Sequence, residues 1–277
     1  MRRNRPMLGT FVELWIEEDL NIHPEQMAFN QEIGNVVYQQ MEKVQALMSS
    51  HDRSSEIAQI NRLSKTVPGI VFTLHPWTYE VFMIAQKVFT ETGGLFDCGV
   101  GQYSPSYPST SDPVQEGGIG SIDLLENHQI RLNQRVQIDL GGIAKGYAVD
   151  RGIEVLKNFE IKNALINAGG DLRIIGGIEQ SIYLKESLYG NAYIYMGKLK
   201  DGAVATSSTR FGRDNKKGGM SYLIHPKTGE CIEDDLSYSI VAPTCVVADC
   251  LTKALAIEKN IHAPYFETFG AIPIIVE

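Results

Sequence analysis

Cysteine is scarce and carries no pattern. The four cysteines, Cys98, Cys231, Cys245 and Cys250, contain no C-x-x-C pair. That excludes a zinc ribbon and a disulfide-dense scaffold, and reduced, buried thiols are the expectation. Long apolar runs are lacking too. Nowhere do about 18 apolar residues follow one another, so no membrane span is expected. Clustered positive charge is short: 25 Lys and Arg stand against 33 Asp and Glu, for a net charge of -8. A nucleic acid is a poor partner for such a surface, because binding phosphates needs grouped Lys and Arg. The one dense basic cluster is MRRNR at the start. It does not open a secretory signal, since Gly9, Thr10, Glu13 and the acids at 17–19 interrupt any apolar stretch. The expectation is a cytoplasmic protein. Neither a P-loop nor a G-x-G-x-x-G run is present.

What is there is ordinary globular composition, 43% apolar and 21% charged over 277 residues, enough for a sizeable core. One domain over 1–277 is expected. LGTFVELWI (8–16) reads as a strand. Apolar spacing of three and four predicts a helix over 26–48. Ser54 and Ser55 ahead of Glu56 predict a short helix ending near Asn61. A second long helix spans 75–94, stopped by Gly93 and Gly94. Residues 99–120, rich in Ser, Pro, Tyr and Gly, form a loop long enough to suspect a role. Strands QIRLN and RVQIDL follow, joined by a turn at 133–134. IAKGYAVDRGIEVLKNF is a helix, and NALINAGGDLRIIGG is a strand, a Gly-rich turn and a strand. SIYLKES, NAYIYMGKL, GAVATSS, MSYLIHP and LSYSIVAPTC are strands, with NKKGG and PKTGE as turns. VVADCLTKALAI (246–257) is the last main helix. Helices concentrate early and strands late, which is α+β.

Several runs could carry chemistry. In IDLGGIAKGYAVD two glycines lead into a helix with Lys145 in its first turns, an anion site or simply a tight connection. Gly169 and Gly170 permit close backbone approach or a hairpin turn. Three hydroxyls and an Arg in ATSSTRF can donate to a phosphate or form a Ser-rich loop. Asp97 lies between glycines as a turn acid, and His225 in HPKTGE as a turn residue. Asp249 and Lys253 share one helix face. They are a surface pair worth about 0.3–0.5 kcal/mol, or they face a cleft, because Val246, Val247, Leu251 and Ala254 around them are apolar.

LGTFVEL, MSSHDRSSEIAQINR, GGLFDCGVG, VQIDLGGIAKGYAVD, NAGGDLRI, ATSS, HPKTG and VVADCLTKALAI occur in that order from residue 8 to about 257. In this the chain resembles the ApbE family of FAD:protein FMN transferases. DLGGIAKGYAVD is the most specific of the runs. The resemblance implies an α+β, two-lobed fold with mixed or antiparallel sheets and FAD in a cleft between the lobes. It implies a reaction in which Mg2+ neutralises the FAD pyrophosphate. A Thr or Ser hydroxyl of a partner protein attacks the phosphorus on the FMN side, AMP leaves, and FMN stays attached through a phosphoester. Such chemistry asks mainly for positioning and charge neutralisation. By the same resemblance Lys145 and Asp150 line the nucleotide pocket and Asp97 reaches the adenosine part. Asn61 and the Leu8-Gly9-Thr10 turn lie near the flavin ring. Gly169, Gly170 and Ser207 approach the phosphates. Gly141 and Gly142 let a backbone carbonyl reach the metal, and Asp249 is its carboxylate ligand.

The departures from the family pattern matter as much. Leu8 stands where the family has Met. Thr206-Ser207-Ser208 replaces Thr-Ser-Gly. In the family's His-Ile-Ile-Asp-Pro run, Tyr222 replaces the His and His225 the Asp, which leaves His225, Tyr222 or no side chain as general base. The family helix reads Asp-x-x-x-Thr, with the hydroxyl completing the metal site, and Lys253 takes that place. A protonated amine is no metal ligand. Either Lys253 assumes part of the metal's task, or it points away, Thr252 substitutes and Mg2+ still binds. The expected catalytic set is Asp249, His225 and Lys253. Two other functions stay open: an FAD-binding or FAD-sensing protein without turnover, and hydrolysis of FAD to FMN and AMP.

Overall fold

Leu8 and Gly9 both take positive φ, 54° and 72°, the geometry of a two-residue hairpin turn. They join β1 (Arg2–Met7) to β2 (Thr10–Ile16). The structure is a computed structural model, and it describes residues 1–18, 23–64, 69–103, 117–185, 192–209 and 223–277. The first strand is not in the sequence reading, since MRRNRPM carries no apolar alternation. Its arginines explain it. The Arg3 and Arg5 guanidinium groups lie 5.4 and 4.8 Å from the Tyr38 ring centre. Charge and a proline suit an edge strand, which must resist further pairing.

The main sheet has seven strands in the order β1-β2-β6-β7-β10-β11-β12, with every pair antiparallel. Its later strands are β6 (Ala164–Ala168), β7 (Asp171–Ile175), β10 (Gly202–Ser208), β11 (Ser237–Ala242) and β12 (Ile272–Val276). Three helices pack in the core against this sheet: α1 (Pro24–Met48), α4 (Ala144–Asn158) and α5 (Cys245–Glu258). Alternation does the sorting. Val12, Leu14, Ile166, Ala203, Ala205 and Ile240 are buried with these helices in the main core. Ile174 and Val204 belong to a second cluster with Ile182 of β8 (Gln180–Lys185), which pairs with β9 (Tyr193–Leu199). Ten of the 14 residues of α5 are buried, so it is a central helix with no clean polar face.

The remaining elements close the other side of the core. They are α2 (Glu56–Leu63), α3 (Pro76–Glu91) and a small sheet ordered β3-β5-β4, from Val71–Thr73, Gln129–Leu132 and Ile122–Leu124. Ser55 caps α2 by accepting the Ala58 N–H at 3.0 Å. His75 does the same for α3 through Trp77 (3.1 Å), with Pro76 next in line. Gly93 and Gly94 lie just past α3, both with positive φ.

RVQIDL is a correction. It is no regular strand, although Val136, Ile138 and Leu140 alternate inward as a strand would. Its backbone groups bond instead to scattered partners: Gly101, the Asn61 and Ser64 side chains, and Cys98. MSYLIHP is a strand in the sequence reading, but its described part, from Leu223, forms only an isolated Ile224–Cys231 bridge. NKKGG and residues 104–116 of the expected loop lie outside the described residues. That loop begins and ends in 3-10 turns, Cys98–Tyr103 and Ile119–Ser121. α6 (Pro264–Thr268) and β12 have no counterpart in the sequence reading. Cys98, Cys245 and Cys250 are buried free thiols, whereas Cys231 is partly exposed.

Candidate functional site

α4 and α5 meet at their N-termini. Gly146 lies in the first turn of α4, where backbone N–H groups have no partner within the helix. Its N–H donates to Asp249 Oδ2 at 3.1 Å. In return Asp150, one turn on in α4, accepts the Cys245 and Val246 N–H groups of α5 at 3.0 and 2.8 Å. Thr244 caps that helix with no side-chain bond of its own. Arg173 of β7 donates to Asp150 Oδ1 at 2.5 Å. The helices come this close because residue 146 has no side chain. A Cβ there would lie 2.5 Å from the Cys245 carbonyl oxygen.

Four charges gather at this junction. Asp249 is fully buried, and Asp171 retains 4% exposure. Lys145 pairs with Asp171, and its ammonium is 3.8 Å from Asp249 Oδ2. Lys253 pairs with Asp249 Oδ1 and donates to the Asp249 backbone carbonyl at 3.0 Å. The lysines are 33% and 22% exposed, so they form the open side of the cluster. Burial pushes the Asp171 carboxyl up, the charge on Asp249 adds to this, and the two lysines oppose it, leaving it at about 6. Burial also acts to raise Asp249, but Lys145, Lys253 and the Gly146 N–H outweigh it and hold its carboxyl below the ordinary value. Burial works against the Lys145 charge, yet Asp249 and Asp171 dominate and hold it firmly protonated.

Glycine turns and hydroxyls border the cluster. A Cβ on Gly142 would meet Lys253 Cε at 3.1 Å, so the lysine stem lies across the turn ahead of α4. The neighbouring Gly141 N–H donates to Asp139 Oδ1 at 2.8 Å. Thr252 donates its hydroxyl to the Asp249 carbonyl (2.7 Å), and the Ser207 hydroxyl of β10 lies 2.8 Å from the Thr252 hydroxyl oxygen. Gly169 and Gly170 turn β6 into β7 with φ of 66° and 104°. A Cβ on Gly169 would reach within 2.4 Å of Thr10 Oγ1, so the turns of the two hairpins touch. From the Gly169–Gly170 turn a cavity of about 650 Å3 runs between β8–β9 and the sheet, lined by Leu172, Leu184, Met196, Val204 and Val241.

Other candidates stand elsewhere. Asn61 is consumed in pairing with the Ile138 backbone, donating at 2.8 Å and accepting at 2.6 Å. The Asp97 carboxylate accepts the Gly99 and Ile119 N–H groups (2.7 and 2.8 Å) and so ties the two ends of the long loop. Burial raises its pKa. His225 Nδ1 accepts from Lys227 and Thr228 in its own turn, and no hydrogen bond among the described residues joins it to Asp249. Tyr222 lies outside the described residues. Three contributors escaped the sequence reading as site residues: Asp171, Arg173 and Gly146. Gly146 had a readable signal, since a glycine early in a helix costs about 1 kcal/mol against alanine and needs a packing reason.

Mg2+, which the family resemblance implies, does not fit these donors. Waters and substrate phosphates fill most of its octahedron, but it still needs a protein carboxylate with a free oxygen. Here both Asp249 carboxylate oxygens and its carbonyl already hold N–H, ammonium or hydroxyl groups. Thr252 is fully buried.

The protein is of α+β class, and its paired ammonium groups beside a helix N-terminus and glycine turns are an arrangement that can receive an anion. The chain belongs to the ApbE family, whose model matches residues 8–266. It is 27% identical over 249 residues to the FAD:protein FMN transferase of Buchnera aphidicola subsp. Schizaphis graminum, covering 81% of this chain and 72% of that one. Against the FAD:protein FMN transferase of Klebsiella pneumoniae it is 25% identical over 256 residues, 83% and 78% of the two chains. The fold superposes on the ApbE protein of Thermotoga maritima with a TM-score of 0.79 at 26% identity, covering 100% of this chain and 94% of that one. With the flavin transferase ApbE of Vibrio cholerae the TM-score is 0.77 at 20% identity, with 99% and 92% covered.

Proposed function

We propose that this protein is an FAD:protein FMN transferase that attaches FMN through a phosphoester to a Thr or Ser of a partner protein. The acceptor hydroxyl attacks the FMN-side phosphorus and loses its proton. The pyrophosphate P–O bond breaks, and AMP leaves with the bond's electron pair. The observation that carries this reading is the pair of partly exposed ammonium groups, Lys145 and Lys253, at the α4–α5 junction of an ApbE-family chain. Two cations, Lys145 in the first turn of α4 and Lys253 two turns into α5, suit a pyrophosphate and the charge that gathers on it as the bond breaks. Ser207 and the Gly169–Gly170 turn border the same ground. An apolar cavity of about 650 Å3 beside that turn suits an aromatic ring system.

The test is incubation with FAD and an acceptor domain, with and without Mg2+. Expected are flavin fluorescence on the acceptor band after denaturing electrophoresis and AMP in equal amount, both lost when the acceptor hydroxyl residue is changed to Ala. No labelled acceptor and no AMP, with a domain that a known transferase can label, would overturn the reading. FMN and AMP formed without acceptor would make the protein a hydrolase instead. Among the described residues no helix is long and apolar enough to cross a membrane.

A further inference from the structure

We infer that the Lys253 ammonium is a built-in substitute for a divalent cation, so that this protein holds the pyrophosphate of its dinucleotide without metal. The inference rests on FAD being the substrate. Three observations carry it. Lys253 occupies Oδ1 of a fully buried carboxylate and also the carbonyl of the same residue. Its stem runs over Gly142, where a Cβ would crowd Lys253 Cε at 3.1 Å, so the glycine turn leaves room for a lysine in this position. Finally, the cluster balances itself. Lys145 and Lys253 bring two positive charges to Asp171 and Asp249. A divalent ion placed among them would face two ammonium groups at short range, which the partly dry site makes unfavourable. An ammonium is a three-donor point charge. With one N–H on each Asp249 oxygen it contacts, Lys253 keeps a donor for a phosphate on its exposed side.

The experiment is FAD binding by fluorescence quenching, in EDTA and in millimolar Mg2+, with Mn2+ binding to the FAD-free protein followed by the electron paramagnetic resonance signal of free Mn2+. Wild type is expected to bind FAD in EDTA with affinity within about two-fold of that in Mg2+, and to leave the Mn2+ signal untouched. Lys253→Thr, checked for folding by circular dichroism, is expected to lose about ten-fold in EDTA and regain it with Mg2+. Wild-type affinity that rises about ten-fold with Mg2+, or Mn2+ taken up by the wild type, would overturn the inference and leave the transferase reading standing. No FAD binding under either condition by the folded wild type overturns both. The wild-type arms need no variant.

Discussion

Asp150 and Asp249 each accept backbone N–H groups from the helix that carries the other. Each helix start is thereby capped by its neighbour's carboxylate, so neither helix can shift along the other without losing bonds at both ends. This junction fixes the backbone of Lys145 against that of Asp249, the residue with which Lys253 pairs, so the packing of α4 and α5 sets the geometry of the charge cluster.

Asp150→Ala is the direct test of that link. It strands two N–H groups and leaves the Arg173 guanidinium, only 13% exposed, without its carboxylate. Removing one partner of a buried pair costs about 3–5 kcal/mol. Asp150→Asn keeps an acceptor oxygen and should cost less, about 1–3 kcal/mol. Urea denaturation reads both. A midpoint for the Ala variant equal to wild type would mean that the junction does not depend on Asp150.

Gly146→Ala addresses the same contact from the packing side. The added methyl would sit 2.5 Å from the Cys245 carbonyl oxygen and 2.8 Å from Val246 Cα. Both are backbone atoms, so the helices must part. Overpacking of this kind costs about 1–3 kcal/mol, despite the better helix propensity of alanine. A lowered melting temperature is expected, together with weaker FAD binding because Asp249 loses its N–H donor. A variant as stable as wild type would refute the close approach.

Much of this was readable from residues, and the exceptions share a cause. Apolar spacing located α1, and the Gly93–Gly94 stop bounded α3, because such signals lie within one chain segment. β1 and the RVQIDL segment failed because their partners are distant: Tyr38 lies below the arginines of β1, and Asn61 and Ser64 hold the backbone of 136–138. The i,i+4 spacing put Asp249 and Lys253 on one face, but not Lys145 or Asp171 opposite them. That meeting depends on the α4–α5 crossing, which Gly146 permits; the glycine signals a close approach but not which element makes it.

Asn61 yields a prediction that separates support from ligand contact. Its amide acts like a strand edge for Ile138. Asn61→Ala leaves a buried N–H and carbonyl without partners and should cost about 2–3 kcal/mol. Asn61→Asp keeps the acceptor but sets a buried carboxylate against the Ile138 carbonyl, which favours the protonated form. Its folded-state pKa is therefore raised, and its stability should improve as pH falls from 7.5 to 5 relative to wild type. Denaturation at the two pH values checks this. An Asp variant with no pH response would place that side chain in water and away from Ile138.

Asp234 sets the acid limit at the far end of α5. Its carboxylate accepts from Tyr238, from Thr209 (2.7 Å) and from the Leu236 N–H (3.2 Å), and pairs with Lys259 at 2.8 Å. Burial acts to raise its pKa, but Lys259 and these hydrogen bonds outweigh it and lower it to about 2, from 3.8. The folded state thus binds its proton less readily than the unfolded chain does. The stabilisation is fully present above about pH 4 and is lost as pH falls towards 2. Half-exposed Lys259 is screened by solvent, which limits the contribution to about 1 kcal/mol. Wild type should exceed Asp234→Asn in stability by that amount at pH 6, with the gap closing as pH falls below 4. Urea denaturation of both proteins between pH 6 and pH 3 measures it. A gap that stays constant over that range would show that the difference comes from lost hydrogen bonds alone and not from the ionised carboxylate.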